Sequence, residues 1–195
     1  MRGVTAWHAL TCGRPTGKGD TVLVLGSGGV SLFALQFAKR LGAHVVATTS
    51  SEEKAERLRA LGADHVINYR TTPDWHIAVR EWTDGRGVDR VVEVGGAGTL
   101  EKSVMSTAFE GQISLIGGLA DEVQTVQFNT LVSNVYSLRS IAVGNRTQFE
   151  EMSRFIAGHR LQPVIDRVFP FEEAASAFAY LKDRPRFGKV VIRVG

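Results

Sequence analysis

Gly26, Ser27, Gly28, Gly29, Val30 and Ser31 follow the apolar run Thr21–Leu25 and open a helical pattern. A strand, a glycine turn and a helix in that order can hold a diphosphate. Gly26 permits the sharp reversal at the strand end. Gly28 has no Cβ, so a phosphate can come close to the backbone. The N–H groups of the next residues, Gly29 and Val30 among them, sit at a helix N-terminus, where the dipole favours an anion. The dinucleotide fingerprint reads G-x-G-x-x-G, and this chain has Ser31 in the last slot. That slot serves helix-on-strand packing, so a small polar residue can fill it. The alternative is a tight turn that binds nothing.

The end of the next strand separates two dinucleotides. A site for NAD places an acid there for the ribose 2′-hydroxyl. Here the strand runs into "ATTSSEEK", with Thr49 and Ser50 where the acid would lie. Glu52 and Glu53 come too late. Ser50 is expected to cap the following helix, with Glu53 completing the capping box. Without a carboxylate a 2′-phosphate is not repelled, and Lys54 lies one turn into that helix. Tyr69 and Arg70 follow the third strand, which should neighbour the second. NADP(H) is therefore favoured over NAD(H). Lys54 also reads as an ordinary solvated lysine.

Three later strands close on glycine: "EVGGAG" from Glu93, "LIGGL" from Leu115 and "VGNR" from Val143. Glycines in series at one sheet edge leave room for a flat ligand. Val94, Gly95, Ile116 and Gly117 are placed to line a nicotinamide site, unless the glycines only start loops. Glu93 reads as a buried, hydrogen-bonded structural acid. No general acid–base pair stands out, and there is no nucleophile elbow. His8, His44, His65, His76 and His159 are scattered, and no spacing reads as a zinc site.

Alternating elements must position these residues. Strands are expected at Thr21–Leu25, His44–Thr49, Asp64–Asn68, Val88–Val94, Gln112–Ile116 and Leu138–Val143. Between them fall helices such as Asp74–Thr83 and Thr99–Phe109. Strands alternating with helices of this length are βαβ units and build a parallel sheet. Six of them give the doubly wound Rossmann fold, an α/β class with flanking helices around a topological switch point. The first helix, "GVTAWHALTCG", has no strand before it. The tail adds a helix from Gln148 to Leu161 and then strand, helix and strand, with nothing left in the sheet to pair with. The expected division is 1–147 as the dinucleotide-binding domain and 148–195 as a segment that belongs partly to a second domain.

The bulk numbers fit this. The chain has 195 residues, 44% hydrophobic and 22% charged, with a net charge of +3 and no basic block. Nucleic acid is not indicated as a partner. Cys12 is the only cysteine, which excludes an internal disulfide and a multi-cysteine zinc cluster. No apolar run approaches the roughly 18 residues of a membrane span. A cytoplasmic protein is expected.

The stretches "TAWHAL", "VLVLGSGGVSLFALQFAK", "GADHVINYR", "VDRVVEVGG" and "GKVVI", in that order, closely resemble the medium-chain dehydrogenase/reductase superfamily. The nearest branch is the zinc-type alcohol dehydrogenase and quinone oxidoreductase-like one. The resemblance covers the whole chain, and serine at the third fingerprint position is a familiar variant there. It implies an oxidoreductase that moves hydride between NAD(P)H and an alcohol, carbonyl or enone. It implies that Gly28, Gly29 and Val30 hold the diphosphate and that Ser50, Lys54 and Tyr69 surround the adenosine ribose and its phosphate. Val94, Ile116 and Val143 would approach the nicotinamide, and Thr5 would touch it from the first helix. Members also carry a GroES-like barrel domain that supplies most of the substrate pocket and, in zinc members, most metal ligands. This chain matches only the cofactor-binding part, so zinc is expected not to bind it, and slow or no turnover is expected. A homodimer formed through the sixth strand edge also follows. A free-standing NADP(H)-binding module, acting as a redox sensor or assembly subunit, is the alternative.

Overall fold

The computed structural model describes residues 1–117, 125–183 and 187–195. Thr21–Leu25 forms β1, buried along its whole length. An uninterrupted apolar strand of this kind suits a sheet covered on both faces. After β1 come α2 (Gly29–Arg40), β2 (His44–Thr49), α3 (Glu52–Ala60), β3 (His65–Asn68) and α4 (Trp75–Trp82). Then follow β4 (Val88–Glu93), α5 (Ala97–Ser106), β5 (Thr107–Leu115), α6 (Phe128–Leu131) and β6 (Tyr136–Ser140). The six strands are parallel, in the order β3-β2-β1-β4-β5-β6. The order reverses between β1 and β4, which makes that edge the topological switch point.

Each face of the sheet has its own core. One buries Val22, Val24, Phe37 and Leu58 with the helices α2 and α3. The other buries Leu23, Val46, Trp75, Val79 and Val104 with α4 and α5. Successive strand residues face opposite sides, so β2 sends Val45 and Ala47 to the first core and Val46 to the second.

The helix without a preceding strand is α1 (Arg2–Thr11), and it docks on the first face with Ala6, Ala9 and Leu10 fully buried. A cation fastens its C-terminal end. Arg90 of β4 is 3% exposed and donates to the carbonyls of Ala9 (2.7 Å), Cys12 (3.4 Å) and Arg14, and to the Ser114 hydroxyl. Those carbonyls have no partners within the helix, and a positive charge suits that end of the dipole. Burial, with help from Arg14, lowers the Arg90 pKa to about 10, so it remains charged at neutral pH.

The largest boundary differences from the sequence reading fall at the α5–β5 junction and at β6. The helix expected to reach Phe109 stops at Ser106, because Thr107 pairs with Val88 and starts β5 early. Glu110, at φ 59°, and a register shift between Val88 and Arg90 absorb the extra length. The sixth strand spans Tyr136–Ser140 rather than Leu138–Val143, set by pairing of Gly111–Leu115 with Tyr136–Ser140. Of the expected residues beyond it, Ile141 still donates its N–H to Leu115 (2.8 Å).

The tail begins with α7 (Arg146–His159), two residues earlier than expected, closed by a reciprocal capping box between Asn145 and Gln148. It packs on α1 through Phe155 against Trp7, with ring centroids 4.8 Å apart. Next come β7 (Ile165–Pro170), a 3-10 turn at Phe171–Glu173, α8 (Ala174–Asp183) and β8 (Lys189–Arg193). The two strands pair in parallel with each other, apart from the main sheet. Phe171, Phe178 and Val194 are left exposed on this unit.

Candidate functional site

The glycine turn lies at the switch point. Gly26 has φ 70°, a left-handed conformation that favours glycine, and its N–H donates to the Thr48 hydroxyl (3.3 Å). Gly28 is the N-cap of α2 with φ −76° and ψ 169°, which any residue can adopt. A Cβ added there would meet nothing within 4 Å among the described residues. The space over Gly28 is open to a ligand. Gly29 is different: a Cβ there would lie 2.9 Å from Lys189 Cδ and 3.0 Å from Arg2 Cδ. Two cationic side chains from α1 and β8 therefore lie against the start of α2. The tail also holds the turn directly, with the Gly188 N–H donating to the Ser27 carbonyl (3.1 Å).

Ser31 is 1% exposed, and its hydroxyl donates to the Leu25 carbonyl at 2.6 Å. The serine thus ties the first turn of α2 to the last residue of β1; it lines the cleft beside Gly28, with its hydroxyl committed to that carbonyl. Ser31→Ala is expected to lower stability by about 1–2 kcal/mol, the cost of a buried carbonyl losing its donor. Dinucleotide affinity should stay unchanged. Chemical denaturation alongside a cofactor titration checks both, and a weakened affinity would place Ser31 in the ligand's path.

Two clefts flank the turn. The larger, about 420 Å³, is lined by Gly26, Thr48, Tyr69, Trp75, Gly95 and Thr99, among others. The smaller, about 270 Å³, is lined by Arg2, Gly28, Val30, Ile116 and Gly117, among others. Val94 lines both. An elongated ligand lying in the two clefts would cross the open helix terminus between them.

The structure brings most of the expected residues here. Gly26, Tyr69, Val94 and Gly95 line the larger cleft, and Gly28, Gly29, Val30, Ile116 and Gly117 line the smaller. Gly118 and Leu119, the end of one glycine edge, lie outside the described residues. Thr49 does not line either cleft. It is 1% exposed, and its hydroxyl has no partner among the described residues. The strand's alternation turns Thr48 to the cleft in its place. Ser50 does not cap α3. The cap is Ser51, whose hydroxyl accepts from the Lys54 N–H (3.4 Å), because β2 stays paired through Thr49 opposite Asn68. No capping box forms with Glu53. Thr5 is buried with its hydroxyl on the Met1 carbonyl (3.1 Å), and Val143 is exposed; neither lines a cleft. Arg2, Thr48 and Trp75 were not foreseen.

Beside the end of β2, positive charge gathers. Lys54 is half-buried, and burial first holds its pKa below the ordinary lysine value. Glu53 and Asp166 act against that shift, while Arg57 and Arg70 add to it. Arg57 lies 3.9 Å from Asp166 and 4.0 Å over the Phe187 ring. Among the described residues no group of three His, Cys, Asp or Glu side chains is placed to hold a metal ion.

A doubly wound parallel sheet with an open glycine turn at its switch point defines a Rossmann domain. The zinc-binding dehydrogenase family profile matches residues 29–158. A zinc-type alcohol dehydrogenase-like protein of Schizosaccharomyces pombe is 41% identical over 98% of this chain. Among solved structures, an NAD-dependent alcohol dehydrogenase is 37% identical with a TM-score of 0.91, over 100% of this chain and 57% of its own. A mycobacterial protein solved with NADPH is 31% identical with a TM-score of 0.86, over 100% of this chain and 62% of its own. The chain belongs to the zinc-binding dehydrogenase family. It spans about 57% of the length of the fission yeast relative.

Proposed function

We propose that this chain is the cofactor-holding part of an oxidoreductase of the alcohol dehydrogenase and quinone reductase type. The open space over Gly28, at the α2 N-terminus and between two clefts that share Val94, carries the reading. The diphosphate rests on Gly28, Gly29 and Val30, whose N–H groups and helix dipole receive it. The adenosine side takes the larger cleft against Tyr69 and Trp75. The nicotinamide side takes the smaller, between Val94, Ile116 and Gly117. A bound nicotinamide supplies the hydride chemistry; the chain's own residues bind it, orient it and exclude water. The substrate class of the whole enzyme is an alcohol, a carbonyl or an enone, read by residues beyond this chain. We assign residues 148–195 in part to the contact with that further domain, since Phe171 and Phe178 stay exposed on the β7–β8 unit.

NADP(H) is favoured. The end of β2 carries Thr49 and Ser50 and no acid, and Arg57 and Arg70 lie close enough to Lys54 to help lower its pKa. That arrangement suits a 2′-phosphate. β6 is a sheet edge with exposed Leu138, so pairing with a second copy is the favoured assembly. Among the described residues no helix is long and apolar enough to cross a membrane. A reducing cytoplasmic compartment suits the single cysteine.

Titration with NADPH and NADH, followed by nicotinamide fluorescence, tests the reading. NADPH should bind at least about tenfold tighter, or about 1.4 kcal/mol. Tighter NADH binding overturns the preference, and no binding of either overturns the cofactor assignment.

A further inference from the structure

Glu93 is the last residue of β4 and is fully buried at the switch point. Its carboxylate has no cation within ion-pair distance among the described residues. Four donors satisfy it instead. Oε1 accepts from the N–H groups of Gly95 (2.7 Å) and Gly96 (3.0 Å) and from the Thr99 hydroxyl (2.6 Å). Oε2 accepts from the Ser103 hydroxyl. The loop from Val94 to Thr99 therefore wraps around the charge. It is wound tightly: a Cβ on Gly95 would lie 2.4 Å from Thr99 Oγ1, and Gly96 takes φ 80°. The carboxylate also sits where the N-terminus of α5 favours negative charge.

The loop it shapes is the wall between the clefts. Val94 lines both, and Gly95 and Thr99 line the larger. The Glu93 carbonyl accepts the Ile116 N–H at 2.9 Å, and Ile116 lines the smaller cleft. One residue thus fixes a wall on each side of the turn, through its side chain on one and its backbone on the other.

We propose that Glu93 is a positioning residue that sets this shared wall, so that a dinucleotide can seat both of its halves at once. This rests on the cofactor reading above. In Glu93→Gln the amide oxygen can still accept the three loop donors while its NH2 donates to the Ser103 hydroxyl, but the loop is then held by neutral hydrogen bonds, about half as strong as those to a carboxylate. Ser103 supplies a matched control. Ser103→Ala perturbs the same buried carboxylate at Oε2 but leaves the three loop contacts on Oε1.

The test titrates the 195-residue chain, Glu93→Gln and Ser103→Ala with NADPH, well below each melting temperature. Glu93→Gln should weaken NADPH about tenfold, as expected when a charge-assisted contact is lost. Ser103→Ala should lower the melting temperature and leave the affinity unchanged. An unchanged affinity in Glu93→Gln, or equal weakening in both variants, makes the residue merely structural and overturns the proposal. Should Glu93→Gln not fold, amide exchange in the unaltered chain decides. Gly95 and Gly96 should slow on adding adenosine 2′,5′-bisphosphate alone and on adding reduced nicotinamide mononucleotide alone. No slowing with either overturns the proposal. If the unaltered chain binds no NADPH, the cofactor reading fails and takes this inference with it; if it binds, only the inference is at stake.

Discussion

Gly28→Asp is expected to raise the melting temperature of this protein while abolishing its dinucleotide binding. The two effects have one cause. Gly28 caps α2 without a side-chain contact, at φ −76° and ψ 169°. Aspartate adopts that backbone without strain and is among the best capping residues. Its carboxylate would accept the free N–H groups of the first turn and would suit the dipole, contributing about 0.3–1 kcal/mol. Among the described residues no neighbour lies within 4 Å of the new Cβ, so the substitution meets no steric clash there. The space it fills is the one the diphosphate needs, and its charge has the diphosphate's sign. NADPH affinity should fall by about 100-fold or more, equivalent to roughly 2.7 kcal/mol. Thermal unfolding and nicotinamide fluorescence on the same sample read both numbers. Retained binding would move the diphosphate off this turn.

Ser50→Asp should reverse the cofactor preference. Ser50 follows the last residue of β2 and does not serve as the α3 cap, since Ser51 holds that position. The change therefore leaves the capping contact in place. A carboxylate at the strand end can accept the ribose 2′-hydroxyl of NADH and repels a 2′-phosphate. It also neutralises part of the charge around Lys54. NADPH should weaken about 100-fold while NADH holds or gains, from charge apposition at short range in a half-buried setting. Paired titrations settle it. An unchanged ratio of the two affinities would mean that Lys54, Arg57 and Arg70 face solvent and that the cofactor's phosphate lies elsewhere.

The βαβ frame was legible because each element carried its own period. Thr21–Leu25 is apolar throughout, Ala34, Phe37 and Ala38 share one helix face, and glycines mark the reversals. Six parallel strands follow from that alternation, whereas their order is set by pairings between distant segments. Residues whose roles depend on partners far away in the chain were less legible. Thr48 and Thr49 are alike in type, and only the register of β2 against β3 decides which faces the cleft. Ser50 and Ser51 pose the same problem one residue on. Arg2 is an exposed residue at a helix start and carries no periodic signal. Pairing of β7 with β8 could not be read, because a parallel pair leaves no turn signature between its strands. The chemistry of Glu93 was half visible. Its burial was expected from its place on β4, but the donors come from a loop and a helix that only the fold brings around it.

The Arg90 clasp bears on the order in which the protein assembles. Its contacts to Ala9, Cys12 and Arg14 span 81, 78 and 76 positions of sequence. Closing loops of that length comes late relative to local pairing, since chain entropy must be lost before the contact forms. A ribosome delivers α1 before β4, so the cation that fastens the helix arrives later than the helix itself. During synthesis α2 can cover α1 early, through Phe37 against Trp7, but the C-terminal end of α1 must wait for β4 to emerge, an interval in which a chaperone has the most to hold.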